Sequence, residues 1–105
     1  MNKVKAIILN SKDNVAVMLE NVKKGEIVYA SGDGKCIEVE AIDNIDFGHK
    51  IALNDIKKGE QIIKYGQTIG LATDNIFRGN HVHIHNIESC RARGDKQKAG
   101  GINSC

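Results

Sequence analysis

One pattern recurs along this chain, at Val22-Lys23-Lys24-Gly25-Glu26-Ile27-Val28, Ile56-Lys57-Lys58-Gly59-Glu60-Gln61-Ile62 and Ile76-Phe77-Arg78-Gly79-Asn80-His81-Val82. Each copy is an apolar residue, two further positions, glycine, two more positions, then an apolar residue. Self-similarity of this kind marks a repeated local structure before any single motif is considered. Glycine reaches a positive φ that β-branched residues resist, so each copy reads as a tight turn feeding a strand. Val22 to Lys24 and Ile56 to Lys58 have room for one helical turn, but glycine follows too soon for a helix to propagate beyond its costly nucleus. Apolar segments, Val15-Ala16-Val17-Met18-Leu19 and Lys50-Ile51-Ala52-Leu53, precede the first two copies, so the whole unit of strand and turn repeats. No window supports a long amphipathic helix. The chain therefore reads as an all-β fold, compact and irregular, of many short strands joined by glycine turns.

Between the first two units, Glu26 to Ala30 and Cys36 to Ile42 flank Ser31-Gly32-Asp33-Gly34-Lys35. The second run alternates Ile37, Val39 and Ala41 against Glu38 and Glu40, which is a hairpin with one wet face. From Gln61 to Thr73, Ile62, Ile63, Ile69 and Leu71 are interrupted by Gly66 and Gly70, again the rhythm of short strands and turns. A chain of 105 residues can bury one modest core, so residues 1–87 form a single domain. From Glu88 to Cys105 the sequence is polar, basic and glycine-containing, which reads as a flexible solvated tail, with a docking arm as the sharper alternative.

Charge and composition exclude several classes of function. A formal charge of +2 with 27% charged residues lacks the electrostatic footprint of a nucleic-acid binder. The aromatic residues, Tyr29, Phe47, Tyr65 and Phe77, are too few for a base-stacking platform. The apolar run near the N-terminus, Ala6 to Leu9, is far shorter than a secretory core or a membrane span. Cys36, Cys90 and Cys105 show neither metal-knuckle nor disulfide spacing, so a reducing, cytoplasmic setting is expected.

His81-Val82-His83-Ile84-His85-Asn86 is the segment whose composition asks for a chemical explanation. Side chains alternate on a strand, so the histidines share one face while Val82 and Ile84 point to the other, toward the core. Imidazole is the commonest metal ligand. Residues at i and i+2 lie about 7 Å apart at Cα, a span that two rings bridge with ~2.1 Å bonds to one ion. His81 and His85 lie about 13 Å apart on such a strand, so all three on one ion is a stretch. A solvated polar strand, or acid/base and anion-binding work, would use the same residues. His49, in Asp46-Phe47-Gly48-His49-Lys50, follows a glycine at a strand entrance, and Lys50 beside it offers a cation for a carboxylate or sulfonate. The Ser31 to Lys35 loop lacks phosphate-loop spacing and reads as a hairpin turn. Nothing around Cys36 supports nucleophilic catalysis.

Several runs, taken together, resemble a known family: Asp13-Asn14-Val15-Ala16-Val17, Gly48-His49-Lys50-Ile51-Ala52-Leu53, Ile63-Lys64-Tyr65-Gly66, Ile69-Gly70 and Gly79-Asn80-His81-Val82-His83-Ile84-His85-Asn86. They are similar, in order and with short gaps, to the N-terminal module of altronate and galactarate dehydratases and to the small subunit of sulfolactate sulfo-lyases. The resemblance implies a SAF-type β-clip and a hydro-lyase subunit, inactive alone, that needs a separate large subunit. It implies a sugar acid as substrate, sulfolactate as the alternative, and a divalent metal, Fe(II) or Mn(II). A module that binds a sugar acid without chemistry is the competing reading. By position, His49, Lys50 and His83 are the expected catalytic residues, Lys64, Tyr65 and Asn86 the substrate-binding ones, and His81, His83 and His85 the metal ligands. Short strand edges also invite self-association.

Overall fold

The computed structural model describes residues 3–89, and all of its regular structure there is β. Nine strands run in chain order: β1 Val4–Ile7, β2 Val15–Met18, β3 Ile27–Gly32, β4 Lys35–Glu40, β5 Lys50–Ala52, β6 Gln61–Lys64, β7 Gln67–Ala72, β8 His81–Val82 and β9 Ile87–Ser89. Six form one sheet in the order β4-β3-β1-β2-β5-β8, and three form a second in the order β6-β7-β9. The β1–β3 pair is parallel and the other pairs are antiparallel. The all-β expectation holds, and the short strands and curled sheets are consistent with a SAF-like β-clip. The expected tail and two of the cysteines, Cys90 and Cys105, lie outside the described residues, but Glu88 and Ser89 belong to β9.

The glycine pattern organises the molecule, and a fourth copy stands at Ile45-Asp46-Phe47-Gly48-His49-Lys50-Ile51. The copies associate in pairs. Val22 bridges Ile45, and Ile56 bridges Ile76, each antiparallel. Within each pair the bonding is reciprocal: Asn21 Oδ1 accepts from Phe47 N and Asn44 Oδ1 from Lys24 N, while Asp55 Oδ1 accepts from Arg78 N and Asn75 Oδ1 from Lys58 N. The glycine N–H of each turn then donates to the strand leading into its partner, Gly25 to Ala41 O, Gly48 to Met18 O, Gly59 to Ala72 O and Gly79 to Ala52 O. All four glycines have φ between +87° and +94°, where a side chain would be strained.

A hydrophobic core surrounds each pair of turns. The first includes Val4, Ile8, Met18, Val22, Val28, Val39, Ile45, Ile51 and Leu53; the second includes Val15, Ala52, Ile56, Ile62, Ala72, Ile76 and Val82. Strands β2 and β5 lie between them and feed both, because alternate residues face opposite sides. Type I′ geometry closes two hairpins, Asp33-Gly34 between β3 and β4 and Tyr65-Gly66 between β6 and β7, with positive φ at every one of these residues. The Ser31 to Lys35 loop is thus the hairpin turn expected of it. Gly70 is not a turn: it sits inside β7, where a Cβ would come within 2.5 Å of Ile87 Cγ2 and 2.6 Å of Glu88 O on β9.

Candidate functional site

The residue after each turn glycine shows how the site arises. In three copies it caps its own turn: Glu26 Oε1 accepts from Lys23 N, Glu60 Oε1 from Lys57 N, and Asn80 Oδ1 from Phe77 N. In the fourth copy that position is His49. Its side chain is directed instead toward β8, where its ring stacks on His83 with centroids 3.7 Å apart and planes within 7°. His49 Nδ1 also meets His81 Nε2 at 2.9 Å, one nitrogen donating and the other accepting according to tautomer. The three imidazoles are half-buried, and their ligand atoms lie within 4.8 Å of one another.

The histidine segment does not run as the alternating strand expected from its sequence. Strand β8 ends at Val82, and residues 84–86 form a turn. The reversal is built by Asn86, which is 8% exposed. Its Oδ1 accepts from His83 N at 2.9 Å, its Nδ2 donates to His81 O at 2.8 Å, and its own N–H donates to His83 O. Both ends of the Asn86 amide are therefore engaged by backbone, and Asn86 shapes the turn that carries His83. The turn sends Ile84 out to solvent, 82% exposed, instead of into the core; Val82 alone is buried. It also leaves His85 exposed, 4.8 Å from His81 between centroids and outside the cluster, whose third member is His49. The third imidazole beside His81 and His83 comes from another turn.

Two carboxylates hold the surroundings. Asp13, 5% exposed, accepts from Asn10 N, Tyr65 N and Gly66 N at 2.8–3.1 Å, and so fixes the hairpin that bears Lys64 and Tyr65. Asp43 accepts from His81 N at 2.9 Å and Asn80 Nδ2 at 2.8 Å.

Charge in the site is one-sided. Burial pushes His81 below the usual histidine range, with repulsion from His85, His49 and His83 adding to it and the Asp43 carboxylate opposing. Burial likewise lowers His83, aided by His49, Lys50 and His85. These rings are neutral at neutral pH, the form that binds metal. His83 Nδ1 is buried and has no hydrogen-bond partner. Lys50 is half-buried, and its ammonium is disfavoured first by burial and then by Lys64. Tyr65, at the hairpin tip, is 70% exposed. Cys36 is free and exposed, outside this cluster.

Residues 4–90 match the family described as altronate/galactarate dehydratase SAF domain. The chain belongs to that family. It is 41% identical over 83 residues to altronate dehydratase of Bacillus subtilis (strain 168), covering 79% of this chain and 16% of that enzyme. The altronate dehydratase of Escherichia coli (strain K12) is 42% identical over the same length, again with 16% of the enzyme covered. A third relative, (2R)-sulfolactate sulfo-lyase subunit alpha of Chromohalobacter salexigens, is 32% identical over 88 residues, and 94% of it is covered. The chain thus spans about one sixth of the dehydratases it matches and nearly all of the sulfo-lyase subunit. Among the described residues no helix is long and apolar enough to cross a membrane.

Proposed function

We propose that this chain is the histidine-bearing module of a lyase acting on hydroxy acids, working in the cytoplasm with a separate large subunit that supplies the remaining catalytic groups. The observation that carries the reading is the convergence of His49, His81 and His83, with Lys50 within electrostatic reach of both His83 and Lys64. The length match to a sulfo-lyase subunit supports a two-chain arrangement.

The cluster fits a divalent transition metal. The ligand atoms of its three imidazoles lie within 4.8 Å of one another, close enough for rings that reorient to share one ion, and the buried His83 Nδ1 has no hydrogen-bond partner. An all-nitrogen set suits Fe(II) better than Mn(II), which favours oxygen ligands. When bound, the ion supplies Lewis-acid stabilisation of negative charge developing on the substrate. Lys64 lies within electrostatic reach of Lys50, and its ammonium offers a cation for the acid group of a substrate. Dehydration removes a proton from the carbon next to the carboxylate and hydroxide from the following carbon, leaving a 2-keto-3-deoxy acid and water. Lys50, whose ammonium is already disfavoured, is suited to take that proton. Tyr65 and His85 stand at the exposed rim, where substrate hydroxyls would meet them.

The second reading has the same residues acting on sulfolactate, the carboxylate held in the same way and sulfite departing in place of hydroxide; the 94% coverage of the sulfo-lyase subunit favours it. The experiment is to co-purify the chain with its large partner and assay release of 2-keto acid from altronate and galactarate, and of sulfite from sulfolactate. Metal-dependent turnover lost in a folded His83→Ala variant is the expected result. A chain that purifies alone and inert, or full turnover in His83→Ala, would contradict the proposal.

A further inference from the structure

The His81 ligand is held by an acid that the proposal above does not use. We propose that Asp43 is a positioning residue whose carboxylate both anchors His81 and supplies the negative charge that favours a dication on the neighbouring imidazoles. This inference rests on the metal reading of the same cluster.

Three observations lead to it. Asp43 lies in the segment between β4 and the Ile45 bridge, and its Oδ2 accepts from the backbone N–H of His81 at 2.9 Å, at the first residue of β8. The same oxygen accepts from Asn80 Nδ2 at 2.8 Å, and Asn80 Oδ1 in turn caps the turn at Phe77 N. The carboxylate is therefore fixed from two directions, and through it β8 is tied to a segment with which it shares no strand pairing. Electrostatically, Asp43 faces His81 and His85. In a site otherwise composed of His49, His81, His83, His85, Lys50 and Lys64, it is the acid whose charge bears on His81. A partner bonded directly to a ligating ring is worth about 10–100-fold in affinity; Asp43 bonds the His81 backbone and reaches the ring through its charge, which puts its effect at the lower end.

The bond and the charge are separable. Asp43→Asn keeps an oxygen for the His81 N–H and removes the charge; Asp43→Ala removes both. Co(II) is the probe, followed by calorimetry and by its visible absorption on the full 105-residue chain. Asp43→Asn should bind Co(II) about 10-fold more weakly than the wild type, with a shifted visible band and an unchanged urea midpoint, and Asp43→Ala more weakly again. Wild-type affinity and spectrum in Asp43→Asn would overturn the role assigned to Asp43 while leaving the metal site intact. A wild-type chain that takes up no Co(II) would overturn the metal reading and this inference together.

Discussion

Replacing Asn86 by alanine tests how the site is assembled, because one side chain makes the reversal that brings His83 onto His49. Two hydrogen bonds disappear, His83 N–H to Oδ1 at 2.9 Å and Nδ2 to His81 O at 2.8 Å. A neutral hydrogen bond contributes about 1 kcal/mol net, and a donor or acceptor left buried without a partner costs about 1–3 kcal/mol. The two backbone groups are part-buried, so water reaches them after a small opening of the turn, and the lower end of that range applies. The expected loss is about 2 kcal/mol, which in a domain of this size lowers Tm by about 10 °C. Urea unfolding measures the stability, and amide exchange locates it: the His83 N–H should lose protection while the amides of β3 and β4, at the far end of the larger sheet, keep theirs. A change below about 0.5 kcal/mol, the range of an ordinary surface substitution, or retained protection at His83, would refute the assignment of Asn86 as the residue that shapes this turn.

Gly79→Ala should destabilise by more than Gly25→Ala. Both glycines have φ near +93°, which costs an L-residue about 1–2 kcal/mol, but a Cβ at Gly79 would lie 2.2 Å from Glu40 O whereas Gly25 opens onto empty space. Equal urea midpoints for the two variants would contradict the packing described. Asp13→Ala removes a buried carboxylate from three N–H groups and should cost about 3 kcal/mol or more, with the Tyr65 and Gly66 amides losing exchange protection; unchanged protection would refute its anchoring role. Stability of the metal-free chain should decline on acidification below about pH 6.5, the ordinary histidine value. His81 and His83 titrate lower when folded than when unfolded, so the unfolded chain takes up protons first and the loss continues down to the folded values. A flat profile of urea midpoints between about pH 8 and about pH 5.5 would refute it.

The glycine pattern carried the fold because its physics is local: a positive φ at a fixed distance from two apolar residues specifies a turn between buried strands. The fourth copy fits the same pattern, with His49 at the position held by Glu26, Glu60 and Asn80 elsewhere. That same substitution makes the site, since a capping side chain is exchanged for an imidazole aimed at β8. His81 and His83 were legible from composition. Their geometry was not, because strand alternation assumes that the strand continues, and Asn86 ends it with bonds to residues three and five positions earlier. Asp13 and Asp43 act across 52 and 38 positions of sequence, on Tyr65 and His81, and no local pattern reports a contact of that span.

The central claim, that His49, His81 and His83 form one metal site, is tested most directly by anaerobic Fe(II) binding to the wild type, His49→Ala and His85→Ala, with X-ray absorption on the loaded wild type. The account predicts one tightly bound Fe(II) with imidazole nitrogens in its first shell, binding largely lost in His49→Ala and retained in His85→Ala. Binding that survives His49→Ala but fails in His85→Ala would place the metal on the His81 to His85 segment alone and contradict the site described here.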